Sequence, residues 1–206
     1  MKKNLIKLTC LSLLLVSGMS NPVFAKNSNV PMNESSIEIN IDNLEGKYGV
    51  ELDLPNDITK DELKTVENEI KNLVSNVEKA KAELSIPEKV QYESLNRVSQ
   101  NFSGTAVVDA TLPAIGLYKV SIPYKYTVTT AGGAPFFERA SAGVSYGSGV
   151  ALGAYSHQSS WTTILSRNGR KNNVLEVNAK GTIVYSLPVG GSVTLPNQVF
   201  LKTFYL

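Results

Sequence analysis

The chain has 206 residues, 42% of them hydrophobic and 18% charged, with a formal charge of +2, one cysteine (Cys10) and one histidine (His157). That length suits one domain with a sizeable core. A single cysteine excludes an internal disulfide framework, a lone histidine cannot build a zinc site, and so small a net charge implies no general attraction to nucleic acid.

Lys2, Lys3 and Lys7 precede an almost unbroken apolar run, Leu8 to Val16, and Val23-Phe24-Ala25 fits the small-x-small rule of a signal peptidase site. This order predicts a secretory signal peptide over residues 1–25, cleaved near Ala25-Lys26. The apolar run is shorter than the roughly 20 residues of a membrane-spanning helix. Cys10 follows Lys7-Leu8-Thr9, which is no lipobox, and Leu112-Pro113-Ala114-Ile115-Gly116 lacks the threonine and the C-terminal tail of a sortase signal. The expectation is a secreted, thiol-free protein with no lipid anchor, no transmembrane helix and no sortase anchor.

Residues 26–36 are rich in Asn and Ser and read as a flexible tether. Residues 37–101 read as a β-hairpin followed by one or more amphipathic helices. Ile37, Ile39 and Ile41 alternate with polar residues, and after a loop containing Gly46 the alternation resumes at Tyr48, Val50, Leu52 and Leu54. Thr59 and Glu62 then form a capping box, flanked by the staple pair Ile58 and Leu63. The stripe Leu63, Val66, Ile70, Leu73, Val77, Ala80, Leu84 steps by three and four, a heptad seam that must cover a sheet or a partner helix. Ser85-Ile86-Pro87-Glu88 suggests a second helix start, although Val90 and Tyr92 also fit a strand.

From Phe102 to Leu206 the period is two, and we expect an antiparallel β-sandwich or barrel. Tyr118, Val120, Ile122, Tyr124, Tyr126 and Val128 form one face, Ile183, Tyr185, Leu187 and Val189 another, and Val199 to Leu206 a closing strand. Gly132-Gly133, Asn168-Gly169, Gly190-Gly191 and Pro196-Asn197 mark turns, with Asn168-Gly169 of the type I′ preference. Pro123 and Pro188 demote their strands to edges or bulges.

Charge is distributed unevenly. Lys26 to Asn101 holds fifteen acids and nine bases, whereas Phe102 to Leu206 holds three acids and eight bases. Either the acidic half docks on the basic half, or the basic half faces an anionic surface. Arg167, Arg170 and Lys171 around the Asn168-Gly169 turn are the candidate anion-contacting residues; a solvated hairpin tip is the plain alternative.

The segment from Ala142 to His157 alternates Val144, Tyr146, Val150 and Leu152 with Gly, Ser and Ala. It reads either as a strand whose small face admits another element, the heptad seam being the natural partner, or as a membrane-inserting segment. Gly143-Val144-Ser145-Tyr146-Gly147 matches G-x-S-x-G, but a nucleophile elbow needs a strand, a turn and a helix, and here strands flank it. Ser145 is therefore expected to be an ordinary strand residue, and His157 a surface or partly buried one. Asp109, Glu138 and Glu176 are widely spaced in sequence.

No catalytic residue, cofactor or metal site is assigned. The arrangement resembles exported β-domain proteins of Gram-positive bacteria in architecture, without a diagnostic motif. The leading expectation is a secreted, non-enzymatic binding protein whose partner is an anionic cell-surface polymer, lipid headgroups or another protein. The alternatives are a membrane-active β-pore-forming toxin and an enzyme with a site assembled from dispersed residues.

Overall fold

The computed structural model describes residues 34–92, 99–112, 116–149 and 153–206. The expected signal peptide, most of the expected tether, Val150 and Leu152 lie outside these residues. No helix among the described residues is long and apolar enough to cross a membrane.

The fold is mostly β, two sheets preceded by a helical part, but its first element differs from the expected hairpin. Helix α1 (Glu34–Tyr48) takes in the last residues of the expected tether and the whole first arm. The alternating isoleucines carry both periods: Ile37, Ile41, Leu44 and Tyr48 step by four, three and four, and only Ile39 departs from the helical stripe. Ile41 and Tyr48 are half-buried and Leu44 is buried against the core. The helix stops at Gly49, in the left-handed region at φ 64°. The Glu45 carbonyl accepts the amides of Gly49 (2.8 Å) and Val50 (3.3 Å), as a glycine-terminated helix requires. The Glu45 carboxylate then takes the Leu52 amide at 2.7 Å, turning the chain into β1 (Glu51–Asp53), the surviving remnant of the hairpin.

Helix α2 (Lys60–Leu84) matches its prediction residue for residue. The Glu62 amide donates to Thr59 Oγ1 (3.3 Å) and the Thr59 amide to Glu62 Oε2 (2.8 Å), so the capping box is closed in both directions. These bonds hold the Glu62 carboxyl below its ordinary range. All seven seam residues are buried, and Ile58 packs with them. The second capping box does not start a helix. Glu88–Lys89 forms β2, and the Val90 amide reaches the Tyr205 carbonyl at 2.9 Å. An unfilled strand edge offers this segment backbone partners that a short helix behind Pro87 would have to supply for itself.

The remaining strands are β3 (Ser99–Leu112), β4 (Gly116–Ala131), β5 (Ala134–Ala142), β6 (Tyr146–Gly149), β7 (Gly153–Arg167), β8 (Arg170–Ser186) and β9 (Ser192–Tyr205). One sheet has the order β3-β4-β5, with β6 continuing beside β4 where β5 ends. The other has the order β1-β9-β8-β7, and β2 joins the same edge of β9 as β1, at its far end and in parallel. Every other pairing is antiparallel.

The sheets face each other across a core containing Tyr126, Phe137, Leu175, Tyr185, Phe200 and Phe204. The Phe204 ring sits 4.9 Å from Tyr124 and 5.4 Å from Tyr126, joining the two sheets ring to ring. Helix α2 packs on β3 and β9, where both sheets would otherwise present an open edge. The seam therefore meets β3 and β9, and not the 142–157 segment for which it was the natural partner.

The proline and turn positions refine the expected pattern. Pro123 lies in a central strand, yet its missing amide removes no ladder bond. Its carbonyl accepts the Gly143 amide (2.8 Å), so its nitrogen faces the break between β5 and β6. Pro188 is in the β8–β9 turn and not in a strand. Pro196-Asn197 is a bulge inside β9, opposite Thr182, and not a turn. Asn168 and Gly169 both have positive φ (54° and 73°), the type I′ geometry expected of the β7–β8 hairpin.

Candidate functional site

The basic residues of the β7–β8 tip are positioned by named contacts. A register shift after Leu165 leaves Arg167 opposite Arg170, and the Arg167 amide donates to Asn173 Oδ1 at 2.8 Å. The Arg167 guanidinium bonds Glu176 at 3.0 Å, and Arg170 Nη1 donates to the Leu206 main-chain carbonyl at 2.9 Å. Each contact uses one nitrogen of a five-donor group, so the arginines are buttressed from one side and keep further donors to offer.

Between this tip, the end of β9 and the β2 segment lies a groove of about 530 Å³, within the size range of ligand pockets. Its wall includes Arg167, Arg170, Lys89, Tyr92, Tyr205 and Asn173, and among the described residues no acidic side chain lines it. Two of the three residues singled out from sequence therefore meet in one place, whereas Lys171 stands exposed on the same hairpin but off the groove wall. Sequence reasoning missed Lys89, Tyr92 and Tyr205. Nothing in their local sequence marks them, since only the β2–β9 pairing brings Lys89 opposite Tyr205.

The second polar constellation corrects the expectation for Ser145. It lies in the break between β5 and β6, 2% exposed, and not in a strand. Its Oγ is 2.7 Å from His157 Nδ1 and 2.7 Å from the Tyr155 hydroxyl, and its amide donates to Nδ1 at 3.3 Å. Because Nδ1 accepts the amide, the imidazole carries its proton on Nε2. Ser145 then donates to Nδ1 and accepts from Tyr155. Burial pushes the Tyr155 hydroxyl up, and the Ser145 bond partly opposes this.

A serine–histidine pair inside G-x-S-x-G has the outline of a nucleophile site, but the geometry is that of a clasp. Both hydrogen-bonding directions of Oγ are used, and the side chain has almost no open surface for a substrate. What it joins is the β5–β6 break to β7. Thr162 Oγ1 of β7 makes a parallel bond to the Ala140 carbonyl of β5 at 3.2 Å. Of the dispersed acidic set, Glu138 and Glu176 are held separately by Thr129 (2.6 Å) and Arg167.

In the 142–157 segment the small face is the covered one where Ser145 sits. Val144 (68%) and Tyr146 (51%) are exposed, while Ser145 between them is buried. Val150 and Leu152 lie outside the described residues. The ion pairs also bear on the charge asymmetry: Glu88–Lys202 (3.0 Å) crosses between the acidic and basic halves. Lys47–Glu67, Glu78–Lys81 and Arg167–Glu176 each stay within one half.

No protein-family model matches the chain, and no curated protein is similar to it. Among solved structures the chain is similar to a two-domain protein of unknown function from Bacteroides thetaiotaomicron, at 14% identity, with a TM-score of 0.29, over 72% of this chain and 69% of that one.

Proposed function

We propose that this chain is an exported, non-enzymatic binding protein that holds an anionic cell-surface polymer in the groove at the β7–β8 end of the sandwich. One observation carries the reading. Lys89, Arg167 and Arg170 converge from segments far apart in sequence onto a groove whose described wall holds no acidic side chain. With the Glu88–Lys202 pair beside them, Lys89, Arg167, Arg170, Lys171 and Lys202 stand against Glu88 and Glu176 among the described residues at this end of the molecule. Guanidinium groups suit such a role because their planar fork matches carboxylate and phosphate oxygens in pairs.

The test is co-sedimentation of the protein without residues 1–25 with isolated bacterial cell walls at low and high salt. Binding should weaken as salt rises, because exposed charges are screened beyond about 8 Å at physiological ionic strength. The double substitution Arg167→Gln, Arg170→Gln should lower affinity by about tenfold or more. Binding indifferent to both salt and these substitutions would remove the reading.

A second reading, membrane activity, is supported by the outward exposure of Val144 and Tyr146. Dye leakage from anionic vesicles that is abolished by Val144→Asp, Tyr146→Asp would favour it over the first.

A further inference from the structure

We infer that the groove takes a sugar unit of an anionic glycan, and not the bare charge of a phosphate chain; this rests on the anion-binding reading above and narrows its ligand class. The cations alone would accept any polyanion. The remaining wall residues discriminate, because they suit a ligand that has flat apolar faces and hydroxyl groups as well as charge.

Tyr205 occupies an outward position at the end of β9, with 39% of its surface open, although the residues on either side of it, Phe204 and Leu206, are buried. Tyr92 lines the same groove half-buried. Lys89 stands opposite Tyr205 in the β2–β9 register, so a cation and an aromatic ring are immediate neighbours on one face. A phosphate chain has nothing to lay on a tyrosine ring. A pyranose has an apolar C–H face that stacks on such a ring while the hydroxyl at the ring's edge stays wet.

The neutral polar groups point the same way. Asn173 is buried, with its Oδ1 taken by the Arg167 amide, which leaves its NH₂ end as what it can offer a ligand. Thr203 and Asn168 add a hydroxyl and a second amide to the wall. Cations to hold the acid group, rings to hold the sugar face and amides to reach hydroxyls make up the donor set of an acidic saccharide site.

The experiment measures affinity at fixed salt for three probes matched in charge: a galacturonate oligomer, a phosphomannan fragment and inorganic polyphosphate. The two saccharides distinguish a carboxylate from a phosphate source of the charge. At least one should bind about tenfold tighter than polyphosphate. Tyr205→Leu and Tyr92→Leu should lower saccharide affinity by about tenfold and leave polyphosphate unchanged, whereas Tyr205→Phe, which keeps the ring, should retain it. Circular dichroism on each variant separates a lost ring from a lost fold. Polyphosphate binding as tightly as the better saccharide, or leucine variants that bind the saccharide normally, would overturn the inference while leaving anion binding intact. Failure of all three probes to bind would overturn both.

Discussion

Ser145 shows how much one hydroxyl can organise. It accepts from Tyr155 and donates to His157, and through them ties the β5–β6 break to β7. The Tyr155 ring in turn lies over Gly181, where an added Cβ would collide with the ring. The three side chains therefore behave as one unit. Ser145→Ala and Tyr155→Phe should each cost about 1–3 kcal/mol by leaving a buried group unpaired. A double-mutant cycle measured by urea unfolding should give a coupling of roughly 0.5–3 kcal/mol. Additive effects would show that the bonds do not act together.

Residues 145 and 157 carried no signal of this pairing in sequence. The G-x-S-x-G match drew attention to Ser145 for a reason the strand context then dismissed, and the clasp arises from a break in strand pairing that periodicity does not encode.

Buried tyrosines set a second expectation at this scale. Burial, reinforced by Tyr124 and Glu88, pushes the Tyr126 hydroxyl up to about 12, and burial raises Tyr124, Tyr155 and Tyr185 as well. These groups stay neutral in the fold at pH values where the unfolded chain ionises. The stability they contribute is therefore complete below the ordinary tyrosine value of about 10 and is lost as pH rises toward 12. Urea midpoints measured across that window should fall steadily, and a flat profile would contradict the burial of these rings.

At the level of elements, legibility depended on whether one period could be told from the other. Helix α2 was readable in full because its cap, staple and seam agree over 25 residues. The segment before it was not, because three isoleucines at alternate positions satisfy a strand while two of them also sit on a helical stripe. Length decided it: a helix of 15 residues has room for Leu44 and Tyr48 on the same face. The two kinds of signal in α2 should also differ in weight. Ile70 is 0% exposed, and Ile70→Ala should destabilise by about 2–5 kcal/mol through the cavity it leaves. Thr59→Ala, which removes only the cap, should cost about 0.5–2 kcal/mol. Thermal or urea melts showing the opposite order would mean that α2 is held by its terminus and not by its seam.

On the scale of the whole molecule, the acids of β1 and the cations of the groove sit at opposite ends of β9. Glu51 and Asp53 of β1 pair with the start of β9, while Lys89 and the arginines of the β7–β8 tip lie at its far end. With 14 residues in β9, the two ends are roughly 40 Å apart at about 3.3 Å per residue. That is several times the screening length of physiological salt, so neither end neutralises the other. The asymmetry was legible from composition alone, but its arrangement was not. The halves share a core and a sheet, and Glu88–Lys202 is an ion pair between them. The groove was half legible for the same reason: Arg167 and Arg170 flank a recognisable turn, whereas Lys89 and Tyr205 are neighbours only because β2 pairs with the end of β9.

The position of β9 in that sheet has a consequence for how the chain comes into being. β1 and β2 are made early, yet among the described residues they pair with β9, and the α2 seam has part of its docking site there. While the chain is still emerging, the early strands have no ladder to join and the helix lacks one of the two strands it covers. Such a topology defers commitment, since contacts this distant in sequence form only after the closure entropy of the whole intervening length has been overcome. A nascent chain of this kind stays pliable until β9 arrives, and then that strand fixes β1 at one of its ends and β2 at the other.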